Sequence, residues 1–298
     1  MAIEKTPQFN RIIDFVLLTD TDQVLYEFKC PRHGRKPAIE ITGSYAANST
    51  LREFNITIKN LYITLPSEQY LKIKLYVGYA DNNIEIEGTV LSMYQEAPGP
   101  DGRTVIQCQA GGKFSQWLDS TGDFAYDQGT KLEEVLNALK TKLGAFDVNM
   151  AKNAKELSLP SRFDHTGTVR EAIEKLNTLF EDKKLHIFLR NETLCAILYN
   201  TKSYIAQHKL EYISAPPQPS AGGADGTYYV TVTAPWLPQL NIGDLLEVPQ
   251  KTYMRYMTTV NTSAKATQFI QVTTMSIHFG TTGGVNSMTV QGFNITGA

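Results

Sequence analysis

Cys30 and His33 stand three residues apart in the stretch CPRHG, a potential nucleophile beside a potential base. A thiol and an imidazole that work together normally meet through the fold, and a zinc ion would need two further ligands that no other Cys or His cluster supplies. The stretch reads as a surface turn. Glu85 and Glu87 are a second candidate, because alternate residues on one strand face lie about 6.6 to 6.8 Å apart, near the carboxylate separation used in glycoside hydrolysis. Lysines face them across the predicted hairpin, so they read as solvated charges. Asp164 and His165 adjoin in FDHTG, just before a predicted helix start and with no serine or cysteine nucleophile motif nearby. A capping or loop role is expected there. Gly222-Gly223 and Gly283-Gly284 lack the strand, loop and helix order of a phosphate cradle and read as turns. The run KTYMRYM places Tyr253, Met254, Tyr256 and Met257 together, the composition of a contact surface. Burial within one domain accounts for that run equally well. No catalytic residue, metal ligand or cofactor-binding residue is assigned, and the chain is expected not to be an enzyme and to need no cofactor.

The composition leads the same way. Hydrophobic residues make up 42% of the 298 positions and charged residues 19%, which suits a folded chain of two or three domains. A net charge of -2 argues against a general nucleic-acid binder held by a phosphate-neutralising surface. Cys30, Cys108 and Cys195 are odd in number and widely spaced, giving neither a disulfide framework nor a zinc pattern. The opening MAIEKTPQFN lacks the charged-then-apolar order of a leader, and no apolar run reaches the roughly 18 residues of a spanning helix. Folding in a reducing cytoplasm without membrane insertion is expected.

The elements that must carry these residues change along the chain. Up to about residue 112 the sequence is a series of short apolar or alternating runs, as in a sandwich or small barrel. In LKIKLYVGYADNNIEIEGTVLSMYQE, residues 71–96, a two-residue loop at Asp81 and Asn82 pairs Tyr79 with Ile84 and Val77 with Ile86, and keeps the apolar residues on one face. Residues 113–213 read as a small α+β unit. Thr130 with Glu133 and Thr168 with Glu171 are two capping boxes, each followed by apolar residues at helical spacing. Leu185, Ile187 and Leu189 are expected opposite Leu198, Ala196 and Leu194 in a hairpin. SAPPQPSAGGADG, residues 214–226, reads as a linker that cannot sit inside a sheet, and the remainder to residue 298 is again β-like. The predicted class is mainly β with an α+β insertion.

The order of these phrases resembles that of baseplate hub proteins of tailed phages and related contractile injection systems. FNITIKNLYITL precedes an apolar strand carrying Gly78 and Tyr79, then a turn, then Gly88-Thr89-Val90, then TVIQCQAG. TVREAIEKLNTLFEDKKLHIFLRNETLCAI is similar to the family's helix and hairpin. APWLPQLNIGDLLEVP, with Pro238, Ile242, Gly243 and Asp244, is similar to the phrase opening its C-terminal barrel. KNLYI departs from the family by lacking a serine, and KTYMRYMTTVNTSAKATQ departs before the closing hairpin. The resemblance implies two tube-like antiparallel β-barrels, 1–112 and 214–298, flanking or interleaved with the α+β unit at 113–213. It also implies a homotrimer of pseudo-sixfold symmetry, with tail tube and central spike proteins as partners and tape measure and other baseplate proteins nearby. DNA would be a transient cargo of the lumen, and the location a virion baseplate assembled in the host cytoplasm. A tail tube or distal tail protein, and a tail-associated cell-wall hydrolase, are the alternatives.

Overall fold

The computed structural model describes residues 11–30, 38–46, 53–61, 71–79, 82–96, 102–110, 119–143, 147–190, 193–199, 201–210, 213–214, 217–220, 229–249, 251–254, 257–260, 268–282 and 286–295. The N-terminal third contains β1 (Arg11–Leu18), β2 (Val24–Phe28), β3 (Ile39–Ala46), β4 (Glu53–Lys59), β5 (Lys72–Tyr79), β6 (Asn82–Glu96) and β7 (Arg103–Ala110). The middle holds β8 (Thr121–Tyr126), α1 (Leu132–Leu143), β9 (Asp147–Met150), the single turn α2 (Lys152–Lys155), β10 (Phe163–Thr168), α3 (Val169–Leu179), β11 (Leu185–Arg190), β12 (Thr193–Leu198) and β13 (Gln207–Lys209). Then come β14 (Gln218–Ser220), β15 (Tyr229–Ala234), β16 (Leu245–Val248), β17 (Lys251–Met254), β18 (Met257–Val260), β19 (Gln268–Gly280) and β20 (Asn286–Asn294). The protein is mainly β with an α+β insertion.

Two groups of strands follow one plan. The order β3-β4-β7-β6-β5 is matched by β14-β15-β20-β19-β16, antiparallel at every step. The match extends to single residues. β6 bulges between Val90 and Ser92 against β7, and β19 bulges between Val272 and Thr274 against β20. Near each bulge, on the bulged strand β6 in one module and on the partner strand β20 in the other, is a glycine whose Cβ would meet a neighbouring backbone carbonyl: Gly88 at 2.7 Å from that of Gln109, and Gly292 against that of Gln271. A bulge bends its strand and a glycine permits close backbone approach at the corner. Each long strand therefore passes between neighbours, β6 from β5 to β7 and β19 from β16 to β20. The pairing of β3 with the C-terminal half of β19 joins the two modules into one sheet, whose path runs from β14 to β2 and stays open among the described residues.

The alternation of side chains explains which face is buried. Phe54, Ile56 and Ile58 of β4 point into the core with Ile41 of β3 and Ile106 of β7, while Asn55 and Thr57 point outward. The β5–β6 hairpin adds Ile73, Leu75 and Val77 from β5 and Ile86 from β6. Its register differs from the sequence expectation: Tyr79 pairs with Asn82, Val77 with Ile84 and Leu75 with Ile86. A slip by two residues leaves every apolar side chain on the same face, so the hydrophobic pattern alone does not distinguish the two registers. Lys74 lies directly opposite Glu87, with Nζ 2.7 Å from Oε1.

In the middle unit, Thr168 and Glu171 form the expected reciprocal cap at the start of α3, and Leu185, Ile187 and Leu189 pair with Leu198, Ala196 and Leu194 as expected. Asn177 of α3 is bonded to the backbone of Ile187 through both ends of its amide, which fixes the helix against the hairpin. α1 begins later than the Thr130 cap implies. Its first four-residue backbone bond runs from Val135 to the carbonyl of Lys131, because Lys131 is held in a bridge to Ser158. The linker expectation at 214–226 is also corrected, since Gln218–Ser220 forms β14 at the sheet edge, paired with β15. Proline is tolerated on an edge strand, where one side needs no ladder donor.

Candidate functional site

The residues with chemical potential do not converge. Cys30 is buried and its backbone N–H donates to Asp14 Oδ1 at 2.8 Å; His33 lies outside the described residues. Glu85 and Glu87 occupy the exposed face of β6 among Lys74 and Tyr76. His165 is in strand β10 rather than a loop. Its Nε2 is 3.2 Å from the Thr168 carbonyl and 3.8 Å from Glu171 Oε2, and its ring stacks on Phe124. It belongs to the helix start. Both Gly-Gly pairs lie outside the described residues, as does Tyr256, and Tyr253, Met254 and Met257 are in the small β17–β18 hairpin. No group of three or more potential metal ligands occurs among the described residues.

What the structure builds instead are two junctions and one surface. At the first junction Asp244, fully buried, accepts from Arg190 Nη1 on β11, the N–H groups of Ala206 (3.1 Å) and Asn241 (3.0 Å), and lies 3.0 Å from His208 Nε2 on β13. The local sequence explains its position. Leu240 N–H closes a turn to Leu237 with Pro238 second in it, and Asp244 N–H closes another to Asn241. Gly243, with φ +81°, takes the third place of that turn, where a Cβ would stand 2.7 Å from the Phe188 ring. The middle hairpin and the C-terminal sheet thus meet at one carboxylate.

The second junction lies between the modules. Gly78, with φ +141°, precedes Tyr79, whose hydroxyl donates to the Trp236 carbonyl (3.3 Å) and accepts from Asn286 Nδ2 (2.6 Å). The Tyr79 and Trp236 rings both meet Phe279 edge-on.

The surface is the outward face of the joined sheet. Across the ladder, Thr289, Ser276, Ser44, Glu53, Gln109 and Thr89 form one row. Ser287, His278, Thr42, Asn55, Gln107 and Ser92 form the next. Hydroxyls and amides dominate both rows, with Glu53 the acidic exception, and beyond them the same face carries the ion pairs Lys59–Glu40 and Arg103–Glu96. A concave groove of about 450 Å³ lies here, bounded by Thr42, Ser44, Asn55, Gln107 and Ser276, with Glu53 its one charged residue. The solvent face of the β5–β6 hairpin, by contrast, carries Lys72, Lys74, Glu85 and Glu87. This mostly uncharged face is the feature missed in the sequence, although the alternation of polar with apolar residues in β3, β4 and the second half of β19 was its available signal.

One half-buried group gives a pH dependence. His186 on β11 packs against Phe188 and Tyr199, its Nε2 has no hydrogen-bond partner, and burial pushes its pKa down from 6.5 to about 4. The unfolded chain takes up a proton below its ordinary value while the folded chain resists until about 4. Stability is therefore full above pH 6.5 and falls as pH drops toward 4, by on the order of 3 kcal/mol from this residue. Replacing His186 with phenylalanine is expected to flatten the loss of Tm between pH 7 and pH 4. Parallel melting curves for the two proteins across that range would refute it.

No family model matches the sequence, and no curated protein matches it. Solved structures do. A tail protein from Neisseria meningitidis MC58 superposes with TM-score 0.58 at 10% identity, over 96% of this chain and 97% of that one. The 43 kDa tail protein of prophage MuSo2 from Shewanella oneidensis gives 0.57 at 11% identity, over 94% and 96%. The E. coli c3393 protein, described as a component of the type VI secretion system with structural similarity to T4 bacteriophage tail proteins gp27 and gp5, gives 0.56 at 8% identity, over 91% and 78%. This chain has the fold of these tail proteins.

Proposed function

We propose that the chain is a structural component of a phage tail or tail-like injection machine, and within it the hub that joins the hexameric tube to the trimeric central spike. The observation that carries this reading is the presence of two modules of one plan, joined edge to edge in one chain. Three such chains around an axis would present six similar modules, so one face can match sixfold symmetry while the assembly remains threefold. The fold shared with tail proteins over nearly the whole chain supports the same reading.

In this arrangement 1–112 and 214–298 are the barrels, 113–213 is the unit between them, and the mostly uncharged concave face lines the channel. A duplex carrying one charge per about 1.7 Å would be held by lysines and arginines along its path. Hydroxyls and amides let it pass. Gly78, Tyr79, Gly88, Pro238, Gly243 and Asp244 act as structural positions, and Tyr253, Met254, Tyr256 and Met257 as a contact region for baseplate neighbours. The role is non-enzymatic, in the virion baseplate.

The test is the mass of the purified chain in solution, followed by negative-stain images. The expected result is a particle of three chains with a ring that looks sixfold. A particle of six chains would favour a tube or distal tail protein. A chain that stays monomeric at high concentration and binds neither tube nor spike protein would overturn the proposal.

A further inference from the structure

The two modules share a plan, but among the described residues only one has its long strand fully covered. In the C-terminal module the second half of β19 receives β3, with Ser276, Ile277 and His278 opposite Ser44, Gly43 and Thr42. In the N-terminal module the second half of β6 has no such neighbour among the described strands. Pairing with β5 ends at Lys72 opposite Thr89, and a last bond runs from Val90 N–H to the Leu71 carbonyl. Beyond that point β6 pairs only with β7, as far as Glu96. Leu91 and Tyr94, two of the exposed large apolar residues, are 56% and 42% accessible on this segment. An open strand edge with exposed apolar side chains is a template for another strand.

The internal repeat says which strand fits. Aligning the two bulges makes Ser92 equivalent to Thr274, hence Tyr94 to Ser276 and Glu96 to His278. Stepping across the ladders, Gln107 corresponds to Gln291, Asn55 to Thr231, and Thr42 of β3 to Gln218 of β14. β14 is thus the counterpart of β3, and it sits at the opposite end of the sheet path from β6 and its neighbours.

We propose, resting on the ring reading above, that the β19–β3 joint is made a second time between chains: β14 of one subunit pairs antiparallel with Leu91–Glu96 of the next. The internal register transfers directly. Tyr94 stands opposite Ser220, Gln95 opposite Pro219 and Glu96 opposite Gln218. The joint is heterologous, so it propagates head to tail; Gln95 N–H donates to the Pro219 carbonyl, and proline supplies no N–H in return.

Cysteine crosslinking of the full chain tests the register, because Cys30, Cys108 and Cys195 are all buried and leave a low background. Directly opposed residues on antiparallel strands have Cβ atoms about 4.5 to 5.5 Å apart, close enough for a disulfide with slight adjustment. The double variant Glu96→Cys/Gln218→Cys is expected to give, on mild oxidation, a ladder ending at three chain masses. Each single variant should give no efficient covalent dimer. Val24→Cys/Gln218→Cys, using the exposed Val24 of β2, should give none either. A trimer by mass in which the 96–218 pair fails to crosslink overturns this joint and leaves the ring standing. Efficient dimerisation of either single variant overturns it in favour of a face-to-face contact. A permanent monomer removes the ring and the joint together.

Discussion

Replacing Asp244 with alanine is expected to lower stability by about 3–5 kcal/mol, seen as a fall of roughly 10 °C in Tm. The reason is the number of donors aimed at one buried carboxylate. Arg190, the N–H groups of Ala206 and Asn241, and His208 all converge on it, and its side chain has no solvent access. Removing the acceptor strands the Arg190 charge, only 17% exposed, and leaves two backbone donors unsatisfied. Breaking a buried pair from one side costs more than the pair itself contributes, because an uncompensated charge remains in low dielectric. The paired variant Asp244→Ala/Arg190→Ala should accordingly be less destabilised than the sum of the two single changes. Asp244→Asn keeps the size but turns an amide NH₂ toward groups that themselves donate, so it should recover little. A loss below about 1 kcal/mol for Asp244→Ala, of the size expected for a surface pair, would show that solvent reaches the site.

How much of this was legible in the sequence depends on the physics behind each element. The β11–β12 hairpin and the start of α3 were readable to the residue because local signals decide them: apolar alternation flanking Asn191-Glu192, and Thr168 with Glu171 three positions on. The β5–β6 register was not, since a slip by two preserves the buried face and the hydrophobic pattern reads the same in both. β14 was hidden by its composition, because proline and glycine report local preference while an edge strand is made by its neighbour β15. The bridge from β3 to β19 joins positions more than two hundred residues apart, and no window along the chain contains both. Asp244 was singled out by its motif, but its donors come from β11, from the approach to β13 and from the preceding turn, so its role needed the fold. The mostly uncharged face shows the same dependence: Thr42, Asn55, Gln107 and Ser276 are ordinary outward strand residues until four strands bring them side by side.

Phe279→Ala is expected to cost about 3–5 kcal/mol and to exceed Tyr79→Phe by a clear margin, although both act at the junction between the modules. Phe279 is fully buried on β19, opposite Ile41 of β3 and Asn286 of β20, so its ring sits where the two modules share a core. Truncation removes the ring from water-free surroundings and leaves a cavity that the flanking strands, pinned on both sides by ladder hydrogen bonds, cannot close. It also deletes two edge-on aromatic contacts, to Trp236 at 4.8 Å and to Tyr79 at 5.7 Å between centroids. Tyr79→Phe keeps the ring and its contact with Phe279 while losing the hydroxyl that links Trp236 and Asn286. Net hydrogen bonds contribute about 0.5–1.5 kcal/mol each, and the unpaired groups left behind add to that, so a loss of roughly 2 kcal/mol is expected. Denaturant titrations of the two variants separate the causes. If packing dominates the junction, Phe279→Ala shifts the midpoint further; if Tyr79→Phe costs as much or more, the hydroxyl network holds the modules together and the aromatic cluster is secondary.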